Sequence, residues 1–253
     1  MADHLPVLIF DVSAQFGHFK RIFATTTAMT YPVPTKTAVY GLVSAIIGLE
    51  KVDNVYLNAF PPGACLIGIG INSPVRTQRV TVNLRPAFGS NSAEPNKKNP
   101  LRNSGNRKPT LTEYLYRPSY RVYFTHADPS VFDQLKKQLK AGRSVYTPSL
   151  GLANMIAKIE FVGEAKATPI TGEEPLYLEG ILPKTRLKKL AVNERGGNRL
   201  MEVGQYAVEM DSSRDVTHRD DVILDRDGAP IAAVVSDAYS IVWKNESADV
   251  VLF

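Results

Sequence analysis

The sequence predicts an α+β protein. A ferredoxin-like (RRM-like) β-α-β-β-α-β domain carries a long basic β-hairpin and is followed by a β-rich C-terminal subdomain. Three observations lead there. Apolar runs of strand length alternate with two stretches of helical period in that order. About 45 residues separate Ile71 from Arg117, where such a series needs only a short turn. After about Ala165, helical periodicity gives way to short β-branched runs cut by turn residues. The expected boundaries are 1–168 for the first domain, with the hairpin at about 75–117, and 169–253 for the second.

Leu5 to Ala14 is an apolar, β-branched first strand. Phe16 to Thr35 lacks helical period and holds Tyr31-Pro32-Val33-Pro34, which enforces extended backbone. Thr35 is placed to cap a helix over Lys36 to Leu49, whose apolar positions Val39, Leu42, Val43, Ile46 and Ile47 recur at three and four. Ala64 to Ile71 is the second strand and Arg117 to Thr125 the third, with Val122 and Phe124 on one face and Arg121 and Tyr123 on the other. Asp128-Pro129 opens a second helix with the stripe Val131, Phe132, Leu135 and Leu139, and Gly142 ends it. Met155 to Gly163 is the fourth strand. Arg76 to Leu84 alternates apolar and polar residues, and Leu111 to Tyr116 can return beside it; these are the hairpin arms, with the polar stretch Ser90 to Thr110 at their tip. Short strands are expected at Leu176 to Leu182, Met201 to Met210, Ile231 to Ser236 and Tyr239 to Trp243, divided by turns such as Arg195-Gly196-Gly197-Asn198 and Asp227-Gly228.

The chain has 253 residues and a formal net charge of +5, 44% hydrophobic and 22% charged. The charge is not spread evenly. Between Arg76 and Arg121 ten basic residues face only Glu94 and Glu113, a net of +8, so the rest of the chain stands at −3. A compact basic element on a near-neutral body is the footprint of a polyanion ligand; the competing reading of this charge is a solvated loop. No apolar run reaches the ~18 residues that cross a membrane. The start, Met-Ala-Asp-His, lacks the basic-then-apolar pattern of a signal peptide, so a cytoplasmic location and no membrane partner are expected. The single cysteine, Cys65, lies in an apolar run and reads as a buried structural thiol.

Chemistry concentrates in Phe16 to Tyr40. This segment holds His18, Lys20, Arg21, Thr25, Thr26, Thr27, Tyr31, Lys36, Thr37 and Tyr40, and no acid. Cations, hydroxyls and rings leading into a helix N-terminus suit phosphate binding, and Phe19, Phe23 or Tyr31 could stack on bases of a single strand. The alternative is that Phe19 and Phe23 are core residues and only the cations reach solvent. His18, Lys36 and Tyr40 are also the residue types of metal-independent RNA cleavage. Asp211, Asp215, Asp220, Asp221, Asp225 and Asp227 form an acidic stretch. Asp225-Arg226-Asp227-Gly228 imitates the opening of a calcium loop, but Ser236 stands where the bidentate glutamate belongs, so a surface turn is expected. No P-loop, nucleophile elbow or paired Cys/His zinc spacing occurs, and no cofactor or metal is implied.

His18-Phe19-Lys20-Arg21, the run Thr25-Thr26-Thr27-Ala28-Met29-Thr30-Tyr31-Pro32-Val33-Pro34 and Thr37 to Leu49 resemble the CRISPR-associated Cas-five family, a branch of the RAMP superfamily. Tyr146-Thr147-Pro148-Ser149-Leu150-Gly151 resembles its second signature. The likeness covers most of Leu5 to Gly163.

The resemblance implies a subunit of a type I Cascade complex, and the chain's departure from the family's RNA-cutting branch argues for a non-catalytic one. Such a subunit grips the 5′ handle of crRNA, caps the backbone filament and lays its hairpin, the thumb, over the duplex of guide and target DNA. Its implied partners are crRNA, the neighbouring backbone and large subunits, and that target DNA. With the charge pattern, the expected RNA-binding residues are His18, Lys20, Arg21, Thr26, Tyr31, Lys36, Tyr40, Arg76, Arg79, Arg102, Arg107, Lys108, Arg117, Tyr146 and Ser149. One branch of the family cuts precursor RNA with a tyrosine of the first helix region and an adjacent Lys-His pair near strand three. Tyr40 could take the first role, but Thr125-His126 and Arg121-Val122 stand where the pair would be. The rival readings are a metal-independent endoribonuclease processing precursor crRNA and a generic single-strand DNA binder.

Overall fold

A computed structural model describes residues 4–22, 27–84, 108–192 and 199–253. Thr26, Arg102, Arg107, most of the stretch Ser90 to Thr110, and the turn Arg195 to Asn198 lie outside the described residues, as does the side chain of Lys108.

The first half builds the expected elements in the expected order, with one short strand, β2, added where an extended loop was expected: β1 (Leu5–Ser13), β2 (Phe16–Gly17), α1 (Lys36–Ile47), β3 (Cys65–Ile71), β4 (Thr77–Leu84), β5 (Lys108–Tyr116), β6 (Ser119–His126), α2 (Pro129–Lys140) and β7 (Lys158–Ile170). Local chemistry fixes the helix ends. The Thr35 hydroxyl accepts the Ala38 N–H at the start of α1, and Gly48 ends it in the left-handed region at φ 88°. Asp128 caps α2, with proline at its first position. Two strands start later than expected. Arg117 takes φ 48° ahead of Pro118, which turns the chain and delays β6 to Ser119. Residues 155–157 bond back to the loop before them (Leu150 N–H to Met155 O, Ala157 N–H to Pro148 O), so β7 begins at Lys158.

The later strands are β8 (Leu176–Leu178), β9 (Leu182–Pro183), β10 (Leu187–Leu190), β11 (Leu200–Met210), β12 (Val216–Asp225), β13 (Ile231–Val235), β14 (Ala238–Trp243) and β15 (Glu246–Val250). The expected boundary at 168 falls inside β7, and the far half of β7 pairs with β14. Of the later strands, β11, β12 and β9 form a separate three-stranded sheet in that order, while β8, β10, β13, β14 and β15 extend the first sheet into nine strands, in the order β10-β13-β8-β15-β14-β7-β1-β6-β3. Within it β7, β1, β6 and β3 are neighbours, antiparallel throughout. The sheet curls back on itself. The chain running on from β15 reaches the free edge of β3, where Ile67 and Phe253 exchange both backbone hydrogen bonds. Gly180 (φ 86°) passes so close to the same edge that a Cβ there would lie 2.0 Å from the Ile69 carbonyl oxygen.

Strand alternation then divides the interior. Leu8, Phe10 and Val12 of β1 face α1 and α2, together with Val122, Phe124, Ile67 and Ile69. Val7 and Ile9 face the other way, into a core shared with Tyr123, Ile241, Trp243, Val250 and Leu252. Both faces of the central strands are buried.

The acidic stretch contains a strand, β12 (Val216–Asp225), which an apolar-run reading passes over because only Val222, Ile223 and Leu224 follow one another without a polar residue. Its last residue, Asp225, is 1% exposed, and its carboxylate accepts the N–H groups of Arg199, Asp227 and Ala229. The aspartate thus builds a turn.

Lys36 and Tyr40 tie the two halves together. The Lys36 Nζ donates to Glu209 Oε1 at 2.8 Å, and the Tyr40 hydroxyl donates to Glu209 Oε2 at 2.9 Å. Lys36 is 2% exposed, and Tyr40 stacks on Phe60 with centroids 4.7 Å apart. Burial, with the Cys65 thiol and the Glu209 carboxylate beside it, drives the Tyr40 phenol far above its usual range. Removing one member leaves a buried charge unpaired. In urea titrations Glu209→Ala is expected to cost about 3 kcal/mol, and a Lys36→Met/Glu209→Met double variant to recover most of it. Cys65 lies against the same network, and burial pushes its thiol up to about 11. It is expected to resist iodoacetamide at pH 8 in the native protein and to react quickly once unfolded.

Candidate nucleic-acid interface

Beside the main sheet and the β11-β12-β9 sheet stands another three-stranded sheet, in the order β2-β5-β4. Its β4–β5 ladder runs without a bulge from Thr77↔Leu115 to Leu84↔Lys108, which is the expected hairpin. Its base is fastened to both segments that the sequence singled out. Phe16 and Gly17 pair with Tyr116 and Leu115, and Ala28 bonds to Leu111 and Glu113 on the same edge of β5. The loop at 146–151 docks on β2: the His18 N–H donates to the Leu150 carbonyl at 3.0 Å. Gly151 (φ 94°) packs against the His18 backbone so tightly that a Cβ would lie 1.8 Å from its carbonyl oxygen. The other end of this loop covers the C-terminus of α1, where Val145 and Tyr146 donate to the Ile46 and Ala45 carbonyls.

The expected residues fall into two groups. Lys20, Arg76, Arg79, Arg117 and Tyr146 are exposed, Arg21 and Ser149 partly so. Arg79 pairs with Glu113 at 3.1 Å yet stays 61% exposed. The guanidinium of Arg21 sits 5.5 Å over the Tyr31 ring and donates to the Thr30 carbonyl. The second group is taken up by the fold. His18 is 5% exposed and its Nδ1 lies 2.8 Å from the Glu113 carbonyl. Tyr31 is 4% exposed and donates to the Gln205 carbonyl; burial raises its phenol despite Arg219 and Arg21 nearby. Lys36 and Tyr40 are spent on Glu209. The start of α1 is therefore not the open phosphate site that its acid-free sequence suggested, because a carboxylate from β11 already holds its lysine and tyrosine and Thr35 caps its Ala38 N–H. Phe19 is a core residue as well. His126, near the position of the missing Lys-His pair, is 8% exposed, with Nε2 against the Ala59 carbonyl and Nδ1 accepting the Asp128 N–H. Of the ten basic residues in the hairpin stretch, Arg121 is withdrawn: its Nε and Nη2 donate to the Asp11 carboxylate at 2.9 and 3.1 Å and its Nη1 to Glu246 at 3.3 Å, and the hydrogen bonding to Asp11 holds it above its usual range.

Three rings were missed. Phe16, Tyr114 and Tyr116 share one face of the small sheet, with Phe16 5.7 Å from Tyr116 and 6.4 Å from Tyr114. The His18 ring continues the row at 5.7 Å from Tyr114, and Arg117 covers Tyr116 at 5.3 Å. The signal available was the period-two placement of Tyr114 and Tyr116 on an arm already read as a strand. Farther along, Lys184, Thr185, Gln205, Arg219, Asp220 and Asp221 line a shallow depression of about 410 Å³. It adjoins Tyr31 through Gln205, but its carboxylates are answered within the protein by Thr185, the Asp221 N–H and the Gln205 N–H. Among the described residues no group of three or more His, Cys, Asp or Glu side chains could hold a metal, and no helix is long and apolar enough to cross a membrane.

Comparison with solved structures gives distant likenesses of fold. A CRISPR protein from Archaeoglobus fulgidus aligns over 97% of this chain and 99% of its own at 14% identity, with a TM-score of 0.48. A chain of a CRISPR RNA-guided surveillance complex aligns over 90% and 91% at 13% identity and TM-score 0.43. A chain of the type III-B Cmr-beta complex bound to cognate target RNA aligns over 90% and 86% at 12% and 0.43. No curated protein matches. The sequence pattern described as CRISPR-associated protein (Cas_Cas5) matches residues 7–236, nearly the whole length, and the chain belongs to that family.

Proposed function

We propose that this chain is a non-catalytic RNA-binding subunit of a type I CRISPR surveillance complex, which grips the 5′ handle of crRNA and caps the backbone filament. The observation that carries the reading is the convergence of Lys20, Arg21, Arg76, Arg79 and Arg117 around the base of the hairpin, in a member of this family. These cations would neutralise handle phosphates, while backbone groups and rings select its splayed bases. The hairpin arms would carry the remaining charge toward the guide–target duplex and a neighbouring subunit. The strand order β7-β1-β6-β3 with two intervening helices supports reading the core as ferredoxin-like. The engagement of the Tyr40 hydroxyl and of both His126 nitrogens in hydrogen bonds within the fold supports the non-catalytic role, since neither side chain offers a free group to a 2′-hydroxyl.

The test is binding of labelled handle RNA by anisotropy, with unrelated DNA of equal length as competitor. Handle preference is expected; equal displacement by the DNA would reduce the reading to charge recognition. Lys20→Ala, Arg76→Ala and Arg117→Ala are each expected to weaken binding and to lower the slope of log affinity against log salt by about 0.7. Precursor crRNA incubated with the protein in EDTA is expected to stay intact, and cleavage lost in Tyr40→Phe would overturn the non-catalytic assignment. Gly151→Ala, which forces its Cβ onto the His18 carbonyl, is expected to undock the 146–151 loop and to weaken handle binding more than Gly142→Ala, whose Cβ meets open space.

A further inference from the structure

We propose that Phe16, Tyr114 and Tyr116, on the solvent side of the small sheet, form a base-stacking platform for single-stranded RNA. The proposal rests on the reading of the chain as an RNA-binding subunit, and it assigns the bases a surface where the preceding section assigned only the phosphates.

The argument begins with where bases cannot go. A four-stranded sheet with helices on one face can present aromatic side chains to RNA on the other. Here that other face is closed: Val7, Ile9 and Tyr123 are packed beneath Trp243, Val250 and Leu252 by the curl of the sheet. The small sheet has an open face instead. In the ladder, Gln78 lies opposite Tyr114 and Val80 opposite Thr112, so these residues share a side with the rings. Gln78 is exposed and Val80 is 40% exposed, so the face meets solvent along β4, while Thr112 beside Val80 is covered. Phe16, Tyr114 and Tyr116 are each partly exposed.

The rings meet at 66° and 52°, so none is sandwiched flat against its neighbour. Arg117, exposed and held at φ 48°, lays its guanidinium over Tyr116 and extends the row with a cation. A guanidinium stacked on a ring can touch a base face and a phosphate together. Stripes of aromatic rings with flanking cations suit single-stranded nucleic acid, since every base has a π-face. The neighbouring charge, with Arg76 and Lys20 exposed at either side of the same strands, favours RNA over an apolar protein segment as the occupant.

The experiment separates bases from phosphates. A short labelled single-stranded RNA is compared with the same strand made abasic in its middle, against the wild type, Tyr114→Leu/Tyr116→Leu and Tyr114→Phe/Tyr116→Phe. The wild type and the Phe variant are expected to prefer the base-bearing strand by about tenfold or more. The Leu variant is expected to lose that preference while binding the abasic strand as the wild type does, with an unchanged thermal midpoint. A preference retained in the Leu variant overturns the platform and leaves the RNA-binding role standing. So does an equal loss on both strands, which would mean that the rings only position the cations. A wild type that binds neither strand overturns the role and the platform together.

Discussion

The ion pair between Lys36 and Glu209 governs how the rest of the structure is divided between core and surface. Its partners lie 173 residues apart, one at the start of the first helix and the other on a late hairpin. A buried ammonium is tolerated only where a carboxylate meets it and further hydrogen bonds complete the site. Glu209 does this for Lys36 and also accepts the Tyr40 hydroxyl. The bond therefore seats β11 against α1, and Tyr206 and Tyr31 follow, donating to the Pro34 and Gln205 carbonyls across the same contact. An acid-free stretch that would otherwise be uniformly cationic is split: residues 31–40 become interior, and Lys20 and Arg21 are left to solvent.

Closure of the main sheet imposes a second division. Once Phe253 pairs with Ile67, the central strands have no open face. Outside the curled sheet stand two three-stranded sheets, β11-β12-β9 and β2-β5-β4, and the second carries the basic hairpin. Its attachment is economical, since β2 follows directly from β1 while β5 leads through Arg117 into β6. The hairpin base is thus held at both ends by the central pair of strands, which gives its rings and arginines a rigid footing.

Much of this was legible locally. The period of Val39 to Ile47, the cap at Thr35, the Asp128-Pro129 start and the alternation of Thr77 to Leu84 act over a few residues, and each element formed where those signals stand. Strand ends were less legible. Arg117 and residues 155–157 were read as strand by pattern, yet a turn and backward hydrogen bonds claimed them. Strand β12 was hidden because a hydrophobic count cannot see carboxylates such as those of Asp220 and Asp221, which accept from Thr185, the Asp221 N–H and the Gln205 N–H.

By itself the sequence determined the element order, the helix ends, the basic hairpin and the motifs that mark the family, because these depend on neighbours in the chain. Only the tertiary structure decided which charged and aromatic groups stay available. Lys36, Tyr40, Tyr31 and His18 went inside, while Tyr114, Tyr116 and Phe16 came to one open face. The physical reason is that exposing or burying a polar group depends on partners far along the chain, such as Glu209 and Gln205, and on which strand edges the sheet closes when it curls.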